Sequence, residues 1–248
     1  MIQTPTMTES KYRNTGWPSI ISGIVGILAY GFLFTAVTTR SSMAIPPSVY
    51  FMFRAHDVGV ILQFLLMIPV VFGLHNLSQI QSPGMSQTTL ATGIGALCFT
   101  ILFLLLAFPK VLDDGLYMFP QGIFGVWLMV VNWRLSGLLP RGIRWFGMVV
   151  GFGLMLVGTF PVGYTIFVDT SPLQIPAIAP EDGPVNFTPA NTILHQVLVI
   201  GSLLGVATLP IWSILLGVKL HRFVRKAEQP ITKKSNVYKP PSILKKIF

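Results

Sequence analysis

Six side chains of this sequence belong to types that bind or react inside an apolar environment, and they cluster toward matching ends of three apolar runs. His56, Asp57 and Gln63 attend one run, Asp114 and Gln121 a second, and His195 a third. His56 and Gln63 differ by seven positions, close to two helical turns, so they share one helix face. If helices start at Asp57 and Asp114, both glutamines lie roughly 10 Å below those starts at 1.5 Å per residue. An amide facing hydrocarbon without a partner costs on the order of a few kcal/mol, which requires Gln63 and Gln121 to face other helices. The chemistry expected of the set is hydrogen-bonded capture of a small ligand in an outward-facing polar pocket. His56, Gln63, Gln121 and His195 would point toward one another there, with Asp57 and Asp114 at the rim. A plainer reading of the same residues also stands. In it the aspartates cap helix starts, where the dipole favours negative charge, the histidines sit among headgroups, and each glutamine makes one interhelical bond.

Other chemistries receive less support. His56, Asp57, Asp114 and His195 are metal-ligand types, but no His-x-x-x-His or Glu-x-x-His spacing joins them, and no metal is predicted. Haem held between His56 and His75 on one helix and His195 and His221 on another would need matching separations. They are 19 and 26 residues apart, and His221 lies among Lys219, Arg222, Arg225 and Lys226. Gly-x-Ser-x-Gly, Walker and dinucleotide patterns are absent, so no catalytic residue and no cofactor is predicted. Cys98 is the single cysteine, which excludes an intramolecular disulfide, and its apolar surroundings read as buried packing.

The elements that must position these groups are membrane helices. Of 248 residues, 52% are hydrophobic and 10% charged, against roughly 25% charged in soluble domains. Six apolar runs, about 19–38, 57–74, 88–108, 116–133, 143–168 and 192–218, match the roughly 20 residues that cross a bilayer. The sequence therefore predicts an all-α polytopic bundle of six transmembrane helices over 19–218. A polar segment, 1–18, precedes it, and a basic tail, 219–248, follows. Residues 169–191, with five prolines, form an outer loop able to lie over the pocket.

Charge sets the expected orientation. Lys11, Arg13, Arg134, Arg141, Arg144 and the nine basic residues of the tail share one side, fourteen of the 17 Lys and Arg. Arg40, Arg54 and Lys110 face the other, so both termini are expected in the cytoplasm. The net charge of +9 lies in turns and tail rather than on one soluble face, which excludes a nucleic-acid partner. Lys219, Arg222, Arg225 and Lys226 are instead expected to contact anionic lipid. Gly147-x-x-x-Gly151 and Gly201-x-x-x-Gly205 read as close-packing surfaces within the chain rather than as a homodimer contact.

The hairpin at 121–158 carries a tryptophan-bearing helix, then SGLLPR, then WFGMVVGFGLML. It resembles a family of bacterial multi-pass membrane proteins of unknown function, in which a Leu-Pro-Arg turn joins the fourth and fifth of about six helices. The resemblance implies a fold and a bacterial plasma (inner) membrane, and no functional residues. The function expected from the residues is non-enzymatic binding of a membrane-protein partner or small ligand. A membrane enzyme or redox subunit using the outer His and Asp groups is the alternative, and a secondary transporter a third, which would need broken helices or buried charge at mid-membrane.

Overall fold

Where no water reaches the backbone, every N–H and C=O must pair within its own segment, so apolar runs of this length become helices. The computed structural model describes residues 6–39, 46–81, 86–137, 139–170, 173–177 and 188–227, and these are helical apart from turns and one isolated bridge between Ser136 and Leu139. The order is α1 (Thr6–Thr39), α2 (Pro47–Gln81), α3 (Gln87–Ala107), α4 (Met118–Arg134), α5 (Arg141–Phe167) and α6 (Pro189–Gly201). A π-helical turn (Ser202–Val206) then leads into α7 (Leu209–Ala227). Arg40, Glu181, Asp182 and the tail from Glu228 lie outside the described residues, as do the side chains of Lys11, Arg13, Arg225 and Lys226.

Five rods are long and apolar enough to cross a membrane, with α6, the π turn and α7 together forming the last, Pro189–Arg222. The sixth, α4, has 17 residues, about 25 Å of rise. Sequence neighbours pack side by side from α1 through to α5, α6 packs on α5, and α7 returns to α1, closing a ring. Large apolar side chains such as Leu28, Phe34, Leu65, Phe99, Leu105 and Phe152 point outward, while Ser19, Ser22, Gln63, Thr100, Gln121, Asn132 and Ser213 are buried. Water would favour the reverse, since a soluble fold does not expose apolar surface on this scale. Hydrocarbon tolerates it.

Small residues decide which helices touch. A Cβ placed on Gly122 would lie 2.6 Å from the Cα of Gly158, and one on Gly147 would meet the amide of Asn132 at the same distance. Gly153 of α5 lies against Gly205, where its Cβ would meet the backbone nitrogen at 2.2 Å, and Gly201 packs against the Gly153 carbonyl. Both glycine motifs thus pack inside the chain. A third seam, α1 on α7, joins Gly16 to Gly217 and Gly23 to the Pro210 carbonyl, with Ser19 Oγ donating to Ser213 O at 2.7 Å.

Three expectations are corrected. α2 begins at Pro47, not near Asp57: proline suits a first helical turn, and the Arg54–Asp57 pair, 3.5 Å apart at i,i+3, lets the helix carry both charges without a break. Asp57 therefore does not cap it. α1 likewise reaches back to Thr6 with Pro18 inside it, so 6–18 belong to the first helix. Cys98 is exposed on the outer face of α3, not packed inside.

Candidate functional site

The earlier start of α2 moves Gln63 to the middle of the helix, and its neighbours confirm the depth. Its backbone carbonyl accepts from Ser22 Oγ at 3.1 Å, and its side chain is fully buried in a slot between α1 and α7. A Cβ on Gly26 would lie 2.7 Å from both Gln63 Nε2 and Pro210 Cγ, so only glycine leaves room for the amide there. Neither Nε2 nor Oε1 has a hydrogen-bond partner among the described residues. Leaving a buried donor or acceptor unmade costs about 1–3 kcal/mol, so the amide presents a desolvated donor and acceptor at mid-depth.

The wall formed by the last rod is irregular at this level. Pro210 has no N–H to give to the Val206 carbonyl, and the π turn before it shifts the ladder by one residue, with Ala207 N donating to Ser202 O at 2.9 Å. Thr208 Oγ1 takes up the Leu204 carbonyl. The helix is thus interrupted beside Gln63.

Gln121 is also buried, on α4, three residues from Phe124. The Phe124 ring meets Phe64 edge-on at 6.4 Å and stacks on Trp127 at 5.5 Å. The two glutamines therefore lie within about one turn of the same level, but Gln63 turns toward α1 and α7 and the amides do not bond to each other.

Above them lies a rim of polar groups. His56 Nδ1 is 3.1 Å from the Ala29 carbonyl, which can only accept, so Nδ1 carries the proton and Nε2 is left as an acceptor. Its ring lies 5.4 Å from that of Tyr30. Arg54 pairs with Asp57 and covers Phe108 at 4.8 Å. Lys110 Nζ binds Asp114 at 2.7 Å in the turn between α3 and α4, where Asp114, like Asp57, caps no helix. Asp57 lies in the electrostatic field of Arg54, Asp114 and Lys110, and Tyr117 in that of both aspartates. The proline-containing connection after α5 reaches this rim, with Ala177 N donating to the Lys110 carbonyl at 3.1 Å.

Five of the six residues singled out by sequence thus fall into two tiers, His56, Asp57 and Asp114 at the rim and Gln63 and Gln121 below. His195 stands apart. It is exposed, its Nδ1 bonds Asn191 O at 2.9 Å within α6, and its ring packs edge-on against Phe160 at 5.5 Å. Sequence reasoning missed Tyr30, Tyr117, Arg54 and the slot residues Ser22, Gly26 and Pro210. The small residues Gly16, Ser19, Gly23 and Gly26, at spacings of three and four, were the signal for the slot. Among the described residues no group of three or more His, Cys, Asp or Glu side chains could hold a metal ion.

The chain matches no family model, no curated protein and no solved structure. The expected membership of a bacterial multi-pass family is therefore not shown, and the helical architecture rests on the five apolar span candidates of the structure itself. At the opposite end of the bundle, Lys219 is half-buried and Arg222 exposed, while His221 packs edge-on against Trp17 at 5.7 Å.

Proposed function

We propose that this is a six-crossing membrane protein that binds a small, uncharged polar ligand, led from the Tyr30–His56–Asp57–Tyr117 rim to the amide of Gln63. The observation that carries the reading is that fully buried, unpartnered amide, set where hydrocarbon surrounds the bundle. An uncharged ligand is favoured because the rim carboxylates are already paired, Asp57 with Arg54 and Asp114 with Lys110. The test is purification in mild detergent with mass spectrometry of the small molecules retained. A compound held by the wild-type chain and lost from Gln63→Leu/Gln121→Leu, with both proteins eluting alike, supports the reading. Retention unchanged by the double substitution overturns it.

The interrupted last rod favours secondary transport as the second reading, since transporters place ligands near the midplane beside discontinuous helices. Uptake of the retained compound into sealed vesicles, absent from vesicles carrying the double variant, separates transport from binding alone.

Six crossings are supported by the course of α4, which runs antiparallel to α5 from Gly122 beside Gly158 to Asn132 beside Gly147. The charge bias of the turns supports an orientation with both termini cytoplasmic. In a Cys98→Ser background, an impermeant thiol reagent applied to intact cells should label Thr170→Cys and spare Gly142→Cys, both at open positions. The opposite pattern inverts the topology.

A further inference from the structure

At the end of the bundle opposite the rim, an open-sided groove of about 380 Å³ runs between α4 and α5. Its lining is apolar except at one point: Met129, Val130, Trp133 and Met148, with Arg134 at the end. That volume falls within the roughly 300–1,000 Å³ of small-ligand sites. Trp133 and Trp145 are more than half exposed here, as amphipathic rings are at a headgroup boundary. Arg134 and Arg141 are exposed, and no carboxylate among the described residues pairs with either. Arg144 is used differently, donating to the Asn132 and Trp133 carbonyls at 3.1 and 3.5 Å and so tying the start of α5 to the end of α4. The combination is an apolar trough on the lipid-facing surface that ends in unneutralised positive charge.

We propose that this groove is a binding site for an anionic phospholipid, with one acyl chain along Met129, Val130 and Met148 and the phosphate on Arg134. Charge complementarity decides the occupant. A zwitterionic lipid would gain the same apolar contact without the electrostatic part, and a protein helix would not call for an unpaired arginine at the groove end. The inference rests on the membrane placement of the bundle and is independent of the Gln63 slot. It also differs from attraction to the basic tail, because it is local and shaped.

The full chain, delipidated in detergent, is titrated with phosphatidylglycerol or phosphatidylcholine, and bound lipid is counted by native mass spectrometry. The expected result is preferential retention of phosphatidylglycerol, reduced about fivefold by Arg134→Gln, the factor for one near-surface basic residue. Val130→Trp fills the groove while keeping every charge, and should also abolish the preference. Val130 is 40% exposed and Arg134 lies at the surface, so neither change disturbs the core. If one variant nevertheless lowers thermal stability, the other decides. Equal retention of the two lipids, or a preference that survives both substitutions, overturns the site and returns lipid selectivity to the tail. Glycerol phosphate competing as well as the lipid would overturn it too, by showing a free-anion site without use of the groove.

Discussion

Gly153→Ala is expected to lower the stability of the protein by about 1–3 kcal/mol, the usual cost of forcing extra carbon into a close-packed contact. The sign makes the experiment informative. In an ordinary helix interior, replacing glycine by alanine gains roughly 0.5–1 kcal/mol through reduced backbone entropy. At Gly153 the new methyl would lie 2.2 Å from the Gly205 nitrogen and 2.5 Å from the Leu204 carbonyl carbon. These are backbone atoms, which move only if α5 and the π turn separate as rigid rods. Because the lipid tails are as apolar as the side chains, helix contact depends on such close packing rather than on hydrophobic driving force. Gly95→Ala serves as the control, since nothing lies within 4 Å of its Cβ position. Thermal unfolding in detergent should show a lowered midpoint for Gly153→Ala and an unchanged or raised one for Gly95→Ala. Equal responses from the two would mean that α5 and the last rod do not meet as described.

The second large effect has the opposite sign. Gln63→Leu is expected to make the ligand-free protein more stable by about 1–3 kcal/mol, because it removes a buried amide whose nitrogen and oxygen are both unpartnered. Leucine keeps an apolar wedge between Gly26 and Pro210 and leaves the Ser22 bond, which goes to the backbone carbonyl, intact. A residue that destabilises the empty protein and is kept for binding should show the reverse once ligand is added, with the wild type gaining stability and Gln63→Leu gaining none. Loss of stability in the ligand-free Gln63→Leu protein would sink this account, since the amide would then be serving the fold itself.

Sequence alone was enough to determine that this chain is all-α, because length and freedom from charge leave the backbone no other way to satisfy itself in an apolar solvent. It also determined that Gln63 and Gln121 are buried, which follows from the energy of an unpaired amide in hydrocarbon and needs no knowledge of neighbours. The α4–α5 contact was legible for a similar reason, since the turn between Arg134 and Arg141 is too short to place the helices anywhere but side by side.

Only the tertiary structure decided the depth of Gln63, the identity of its neighbours and the separation of His195 from the rest. Arg54 and Asp57 read as the end of a helix, yet they pair at i,i+3 and let α2 run back to Pro47, which carries Gln63 to its middle. The slot between Gly26 and Pro210 joins residues far apart in the chain, and no local pattern in either helix specifies the other. Cys98 and His195 were assigned the wrong face because these helices are apolar nearly all round. Hydrophobic periodicity marks the inner face of a soluble helix, but in a bilayer both faces are apolar and small residues choose the contact. The sequence lists the small residues, but which of them meet is settled only when all the helices pack at once.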